Sequence, residues 1–210
     1  ETGTGIYTIP LAKRTGTTVL GLDASKEMIR KAKTKQSCEE IEWLVGDAEN
    51  LPFSNCQFDC VYMTLVIHQI VNKKRAIEEI HRVLKKSGRF VAMTKSHGQL
   101  RRALITSFPK ARHIDLERFP TIPALKSTLI SAGFQNAKYH VVHGGVTRVS
   151  VEDYLDRVRK RFISTLALLS EEDFKRGYVV FERKLRGQAT ANEVSYEKEY
   201  TFVNAEKEQD

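Results

Sequence analysis

Along the first hundred residues, apolar runs of strand length alternate with stretches of helical period. Thr17 to Leu22 (TTVLGL) is short, β-branched and apolar and closes at Asp23, which predicts a strand. Residues 25–35 place Met28, Ile29 and Ala32 at helical spacing behind a Ser25 cap, with Glu27 early and Lys33 and Lys35 late, as the helix dipole favours. Ile41 to Val45 reads as the next strand and ends at Gly46-Asp47. Phe58 to Val66 (FDCVYMTLV) is apolar on both faces, which predicts a central strand. A helix over 73–85 follows, then a strand from Arg89 to Thr94 after a Gly88 stop. Strand followed by helix, repeated, implies a parallel sheet with crossover helices on both faces.

Beyond residue 96 the rhythm changes. Helices are predicted near 98–108 and 121–132, then a strand at about 136–143 that Gly144-Gly145 ends. Two more helices are predicted near 151–163 and 171–186, and Tyr196 to Val203 (YEKEYTFV) alternates as a last strand. Two late strands around a helical insertion predict an antiparallel pair closing one edge of the sheet. The insertion, within residues 97–187, is expected to form a lid or substrate lobe. The expected fold class is therefore α/β, a Rossmann-like doubly wound sheet that is mostly parallel with an antiparallel last strand.

Composition narrows the class without naming a function. At 210 residues, with 41% hydrophobic and 29% charged residues but only 5 Pro and 12 Gly, the chain is an ordinary globular domain, not a fibrous or low-complexity one. No apolar run approaches the roughly 18 residues of a membrane span, and the first segment lacks the basic-then-apolar order of a signal peptide. Cys38, Cys56 and Cys60 have neither disulfide-framework nor zinc-site spacing, so they read as reduced thiols of a cytoplasmic protein, and no metal is expected. The formal charge of +8 is compatible with an acidic or nucleic-acid partner, but Lys and Arg are scattered on presumed helix faces.

In an open α/β sheet, ligands bind at the carboxyl ends of the strands. Four polar places fall there: Gly3-Thr4-Gly5 opening a helix, Asp23, Gly46-Asp47-Ala48, and the run Thr64 to His68. Asp23 lies 18 residues after Gly5, and a carboxylate about 20 residues beyond a glycine turn suits the two hydroxyls of a ribose. The ligand is then a dinucleotide or S-adenosylmethionine. A dinucleotide turn needs a third glycine where this chain has Thr8, and no phosphate-loop motif occurs anywhere.

The segments GTGIYTIPLAKR, GLDASKEMI, GDAENLPF and FDCVYMTLVIHQI follow one another as do the successive motifs of class I S-adenosylmethionine-dependent methyltransferases. The chain resembles most the small-molecule branch that includes the ubiquinone and menaquinone biosynthesis enzymes. The resemblance covers roughly residues 1–95, which would form the cofactor-binding part of a single methyltransferase domain over 1–210. It implies that Gly3 and Gly5 border the methionine part of the cofactor and that Asp23 holds the ribose hydroxyls, with Ala24 and Met28 beside the adenine. It further implies that Asp47 accepts from the adenine amino group, Ala48 packs beside the ring, and Leu51 belongs to the following turn. Thr64, Leu65 and His68 would face cofactor and substrate.

Each role has a plainer rival: Asp23 as a helix cap, Asp47 as a turn aspartate, Met28 as core and His68 as a packing residue. Cys56 and Cys60 receive no role. The chain also departs from the family. If Gly5 ends the three-glycine turn, as Thr8, Leu11 and Ala12 behind it indicate, Glu1 stands where the first glycine belongs. The family's central first strand is then missing from the chain, and the expectation is a natural protein with an N-terminal extension that supplies it.

Methyl transfer from a sulfonium is an in-line displacement, so catalysis is chiefly the alignment of nucleophile, methyl and sulfur. A general base helps when the acceptor carries a proton, and the titration range of His68 suits that task. The expected acceptor is a small molecule, in a lobe lined by His97, Tyr154 and Phe162. RNA methylation is the rival reading, motivated by the charge and by Arg157, Arg159, Lys160 and Arg161. Helical spacing puts only Arg157 and Arg161 on one face, and the chain lacks both the N/D-P-P-Y signature of adenine methylation and a Pro-Cys pair for attack on cytosine. A third reading, a cofactor-binding protein without catalysis, rests on Glu1 alone.

Overall fold

The computed structural model describes residues 2–35 and 41–209, so Glu1 and Cys38 lie outside the described residues. In chain order the elements are α1 (Thr8–Thr15), β1 (Val19–Asp23), α2 (Lys26–Lys35), β2 (Ile41–Val45), β3 (Phe58–Thr64), α3 (Lys73–Val83) and β4 (Leu84–Thr94). Then come α4 (His97–Arg102), a 3-10 turn (Leu104–Ser107), α5 (Pro109–Arg118), α6 (Ile122–Ser131) and β5 (Phe134–Ser150). The last elements are α7 (Val151–Arg159), α8 (Ser164–Ala167), α9 (Glu171–Gln188) and β6 (Glu193–Lys207).

The helix starts follow from capping chemistry. Ser25 Oγ accepts the Met28 N–H at the head of α2, and Asn72 Oδ1 accepts the Arg75 N–H at the head of α3. Their apolar stripes, Ile29 and Ala32 in one and Ala76, Ile77, Ile80 and Val83 in the other, are buried.

The chain folds as two compact units. The first runs to Thr94 and adds Ile122–Tyr139 and the segment from Phe202 on; the second comprises Lys95–Thr121 and His140–Thr201. The first unit thus takes in α6 as well as the segment up to Thr94, and β5 and β6 each have residues in both units.

In the first unit, β1 and β2 pair in parallel with Asp23 opposite Val45, and β3 and β4 pair in parallel with Thr64 opposite Met93. The second sheet has the order β3-β4-β6-β5. Ser87 and Arg89 meet Glu208 and Glu206, and Gln135 and Asn136 likewise meet Glu208 and Glu206. Numbers rise on one strand as they fall on the other, so β6 is antiparallel to both neighbours. One core lies under β3, β4 and β6 and holds Ile77, Leu84, Phe90, Leu125 and Val203; a smaller one under β1 and β2 holds Val19, Ile29, Ile41 and Trp43.

The expectation that β3 is central is corrected. It is the end strand of its sheet, and no described strand pairs it to β1, so Asp59 and Cys60 are exposed. What ties it to the smaller layer is Tyr62, which packs on the β1–β2 cluster and donates to Thr8 Oγ1 at 3.0 Å.

Three boundaries also differ. β4 begins at Leu84, not after Gly88, because residues 85–88 bulge out: Phe58 pairs with Leu84 but Cys60 already with Arg89. β5 runs through Gly144-Gly145. There a Cβ on Gly144 would stand 3.1 Å from Lys198 Cβ, and Gly145 has φ +79°, so the pair permits close strand approach and a bend. The helix expected over 98–108 is broken into α4 and the 3-10 turn, and α5 and α8 were not anticipated. Pro109 at the first position of α5 resets the chain. No helix among the described residues is long and apolar enough to cross a membrane.

Candidate active site

The polar residues singled out in the first unit converge on the carboxyl ends of β1, β2 and β3. Asp23, the last residue of β1, is only 3% exposed, and its carboxylate is held from two sides. Oδ2 accepts the Gly3 N–H at 2.7 Å and Oδ1 accepts the Ser25 N–H at 2.9 Å. Its backbone carbonyl accepts the Gly46 N–H at 3.0 Å, which brings the ends of β1 and β2 together. Asp23 thus does cap the turn into α2. An ionised carboxylate offers about four lone-pair sites, and the protein uses two of them here.

The two glycines of the turn differ. Gly3 has φ +55° and nothing within 4 Å of where a Cβ would stand, so its backbone is open to approach. Gly5 has φ +74°, but a Cβ there would meet Trp43 Cη2 at 2.9 Å and Ile9 Cδ1 at 3.0 Å. Its open side is filled by the protein itself. Ala24 is exposed and Met28 half-buried at the start of α2.

Asp47 is exposed after β2, and its Oδ1 accepts the Glu49 N–H at 2.9 Å, an Asx turn. Ala48 and Leu51 are half-buried against the larger core. At the end of β3, Thr64 is half-buried and Leu65 lies in the left-handed region at φ +54°, with its N–H donated to Met93 O at 2.8 Å. A leucine in that conformation costs about 1–2 kcal/mol. The strained residue turns the chain sharply, and Val66, Ile67 and His68 follow it into burial, His68 at 8% exposure.

Sequence reasoning missed the residues that hold the loop from Asp47 to Phe53. Glu79 on α3, 4% exposed, accepts the Leu51 N–H at 2.9 Å and two bonds from Arg82. Arg82 in turn donates to the carbonyls of Phe53 and Leu51 at 2.7 and 2.9 Å. Glu49 Oε1 accepts the N–H groups of Val71 and Asn72, closing the loop onto the start of α3. The Arg82 guanidinium, hydrogen-bonded to Glu79, holds that carboxyl below the usual range against the opposing effect of burial. The available signal was a glutamate standing among the apolar positions 76, 77, 80 and 83.

In the second unit the residues expected to line a substrate lobe differ in their surroundings, Phe162 being 40% exposed and His97 half-buried. Tyr154 is 5% exposed in a core with Phe181 and Tyr196, and burial pushes its hydroxyl up to about 12. Phe162 packs edge-on against it, and His97 Nε2 is 2.9 Å from the Phe119 carbonyl oxygen. The basic run is occupied internally. Arg157 lies 4.3 Å from the Phe162 ring centroid, Lys160 pairs with Asp156 at 2.6 Å, and Arg161 pairs with Glu171 and stacks on Phe174.

Comparison with known proteins bears on what this arrangement is. The family profile described as a methyltransferase domain matches residues 2–92. The 2-phytyl-1,4-naphtoquinone methyltransferase of Thermosynechococcus vestitus is 30% identical over 173 residues, covering 71% of this chain and 76% of that protein. The chloroplastic 2-phytyl-1,4-beta-naphthoquinone methyltransferase of Arabidopsis thaliana is 31% identical over 175 residues, 68% of this chain, and the match spans 65% of that protein's length. Among solved structures, phosphoethanolamine N-methyltransferase 2 of Haemonchus contortus, in complex with S-adenosyl-L-methionine, matches with a TM-score of 0.60 at 20% identity over 99% of this chain and 47% of that one. The fold, the order of the motifs and the 30% identity to a relative matched over 76% of its length agree: this chain belongs to the class I S-adenosylmethionine-dependent methyltransferases.

Proposed function

We propose that this chain binds S-adenosylmethionine at the carboxyl ends of β1 and β2 and transfers its methyl group to a small-molecule acceptor. The observation that carries the reading is the Asp23 carboxylate, fixed by the Gly3 and Ser25 N–H groups beside a glycine whose outer face is open. The chemistry of the donor set fits the cofactor. Asp23 keeps lone pairs for two ribose hydroxyls, the open face of Gly3 admits the methionine portion, and Asp47 Oδ2 is the acceptor for the adenine amino group, with Ala48 and Met28 as walls. Leu51, Thr64 and Leu65 complete the surround. When bound, S-adenosylmethionine supplies an electrophilic methyl on a sulfonium. The chain's own work is to fix the nucleoside, to exclude water with Val66 and Ile67, and to take the acceptor's proton on His68 where the acceptor is protonated.

Calorimetric titration with S-adenosylmethionine and its demethylated form tests the reading directly; saturable binding that Asp23→Ala abolishes is expected, and no heat from either ligand with an intact protein ends it. The acceptor class to assay first is an aromatic quinol, because the two relatives above are named for naphthoquinones. The exposed thiols Cys56 and Cys60 fit a reducing, cytoplasmic setting. For RNA, Arg157, Lys160 and Arg161 each engage a ring or carboxylate of this chain, which weakens the basic run as a dedicated phosphate track; a shallow salt dependence of any RNA retention is expected in filter binding.

A further inference from the structure

The second unit contains a cation that its own fold does not neutralise directly. Lys95 follows Thr94, the last residue of β4, and its Nζ lies 5.9 Å from the centroid of the Tyr200 ring. Among the described residues no carboxylate pairs with it within 4.0 Å; Asp115 and Glu199 act on it from farther away. Both of those are already engaged, Asp115 by the Thr165 hydroxyl and Glu199 by Arg102 at 2.6 Å. Burial pulls the Lys95 ammonium below the usual lysine range, so the charge is held at a cost to the fold.

A second donor stands in the same position. Gln99 is 6% exposed, and its Oε1 accepts the Ser96 N–H at 2.8 Å and the Thr201 hydroxyl at 2.9 Å. A backbone N–H can face only the amide oxygen, so the orientation of this amide is fixed by its surroundings. Its Nε2 is thereby buried with no acceptor among the described residues. An unmet buried donor destabilises the chain that carries it. Gln99 is tied back to the residue after Lys95 and forward to Thr201, the neighbour of Tyr200, so both donors belong to one corner of the unit.

Two donors, one charged and one neutral, that the fold supports but does not use match a single kind of ligand. We propose that Lys95 and Gln99 form a subsite, within the second unit, for an anionic oxygen, carboxylate or phenolate, of a small-molecule ligand. The site stands apart from the methyltransferase reading and is tested without turnover.

The probe is 4-nitrophenol, whose phenolate absorbs visible light and whose phenol does not. Titrated with the full chain below the phenol's own pKa, it is expected to ionise on binding, giving a saturable rise in phenolate absorbance. Benzoate added to the complex separates the sources: displacement marks a site that takes carboxylates as well, and no displacement a site selective for phenolates. Lys95→Met should weaken binding at least tenfold without lowering the unfolding temperature, since it removes a partly buried charge that no carboxylate pairs with within 4.0 Å among the described residues, and Lys95→Arg should retain the signal. Gln99→Glu keeps acceptors for Ser96 and Thr201 while removing the donor, and should also weaken binding at least tenfold. If 4-nitrophenol and benzoate both fail to bind a chain that still binds S-adenosylhomocysteine, or if Lys95→Met binds as the parent does, the subsite is overturned and the methyltransferase reading stands. Phenolate formation in a chain that binds no S-adenosylhomocysteine has the opposite meaning.

Discussion

Gly3 donates its N–H to Asp23 Oδ2 at 2.7 Å, joining the glycine turn to the end of β1 across 20 residues of sequence. The same carboxylate takes the Ser25 N–H, so one side chain sets the turn, ends the strand and starts α2. Asparagine at this position has a single oxygen, and one of the two N–H donors would then face an amide NH2. Asp23→Asn should therefore lose about 1–3 kcal/mol of stability in chemical unfolding. In calorimetry below its transition, the folded variant should bind S-adenosylhomocysteine at least tenfold more weakly. Unchanged affinity would reduce Asp23 to the cap that it visibly is.

The two glycines of the turn are separable by one methyl group each. Gly5→Ala puts a Cβ 2.9 Å from Trp43 at φ +74°, combining overpacking with left-handed strain. The two effects sum to about 2–5 kcal/mol. Trp43 is the single tryptophan of the chain, so its fluorescence reports the displacement. Gly3→Ala has open space and should cost only about 1–2 kcal/mol, while lowering cofactor affinity because the added methyl occupies the face that the ligand approaches. Equal stability losses with unchanged affinity in Gly3→Ala would place the cofactor elsewhere.

Much of this was legible in the chain because strand ends are marked by local chemistry. Asp23 and Gly46-Asp47 stand where apolar runs stop, and the structure finds β1 and β2 ending there within a residue. Glu79 and Arg82 were not legible, because their partners Leu51 and Phe53 lie 28 and 29 residues away and their bonds are to backbone groups without a sequence signature. Gly144-Gly145 misled for the opposite reason. A glycine pair ends a strand when the chain turns and permits strand contact when it continues, and only Lys198 across the ladder decides between them. An aromatic such as Tyr154 suits a pocket wall and a core equally well by composition, and packing against Phe181 and Leu155 places it in the core.

The loop from Asp47 to Phe53 should be acid-labile through α3. Glu79 ionises more readily folded than unfolded, chiefly through Arg82, so its contribution is fully present above about pH 4.5 and is lost as pH falls through its lower folded value. His81, held low chiefly by burial, begins earlier: below 6.5 the unfolded chain takes up a proton that the folded one resists, so stability already declines there. Urea unfolding across a pH series should show both steps, with Glu79→Gln removing the lower one. Arg82→Met leaves Glu79 buried without its main partner and should cost about 3 kcal/mol near neutrality. A single featureless decline in both proteins would detach the loop from this ion pair.

His68 sits three residues beyond the strained Leu65, and the strain says where to look. A backbone that holds leucine at φ +54° must be repaid by its surroundings, and such residues cluster where a turn has a task beyond connection. If that task is to present His68, then His68→Ala should lower turnover by about 100-fold or more while cofactor affinity stays within about twofold. The pH–rate profile should lose the limb that follows imidazole deprotonation. Were His68 only filling space, the alanine variant would instead lose stability by leaving a cavity, and the surviving folded fraction would turn over at the parent rate with the parent profile. Activity normalised to folded protein, measured with cofactor at saturation, distinguishes the two outcomes.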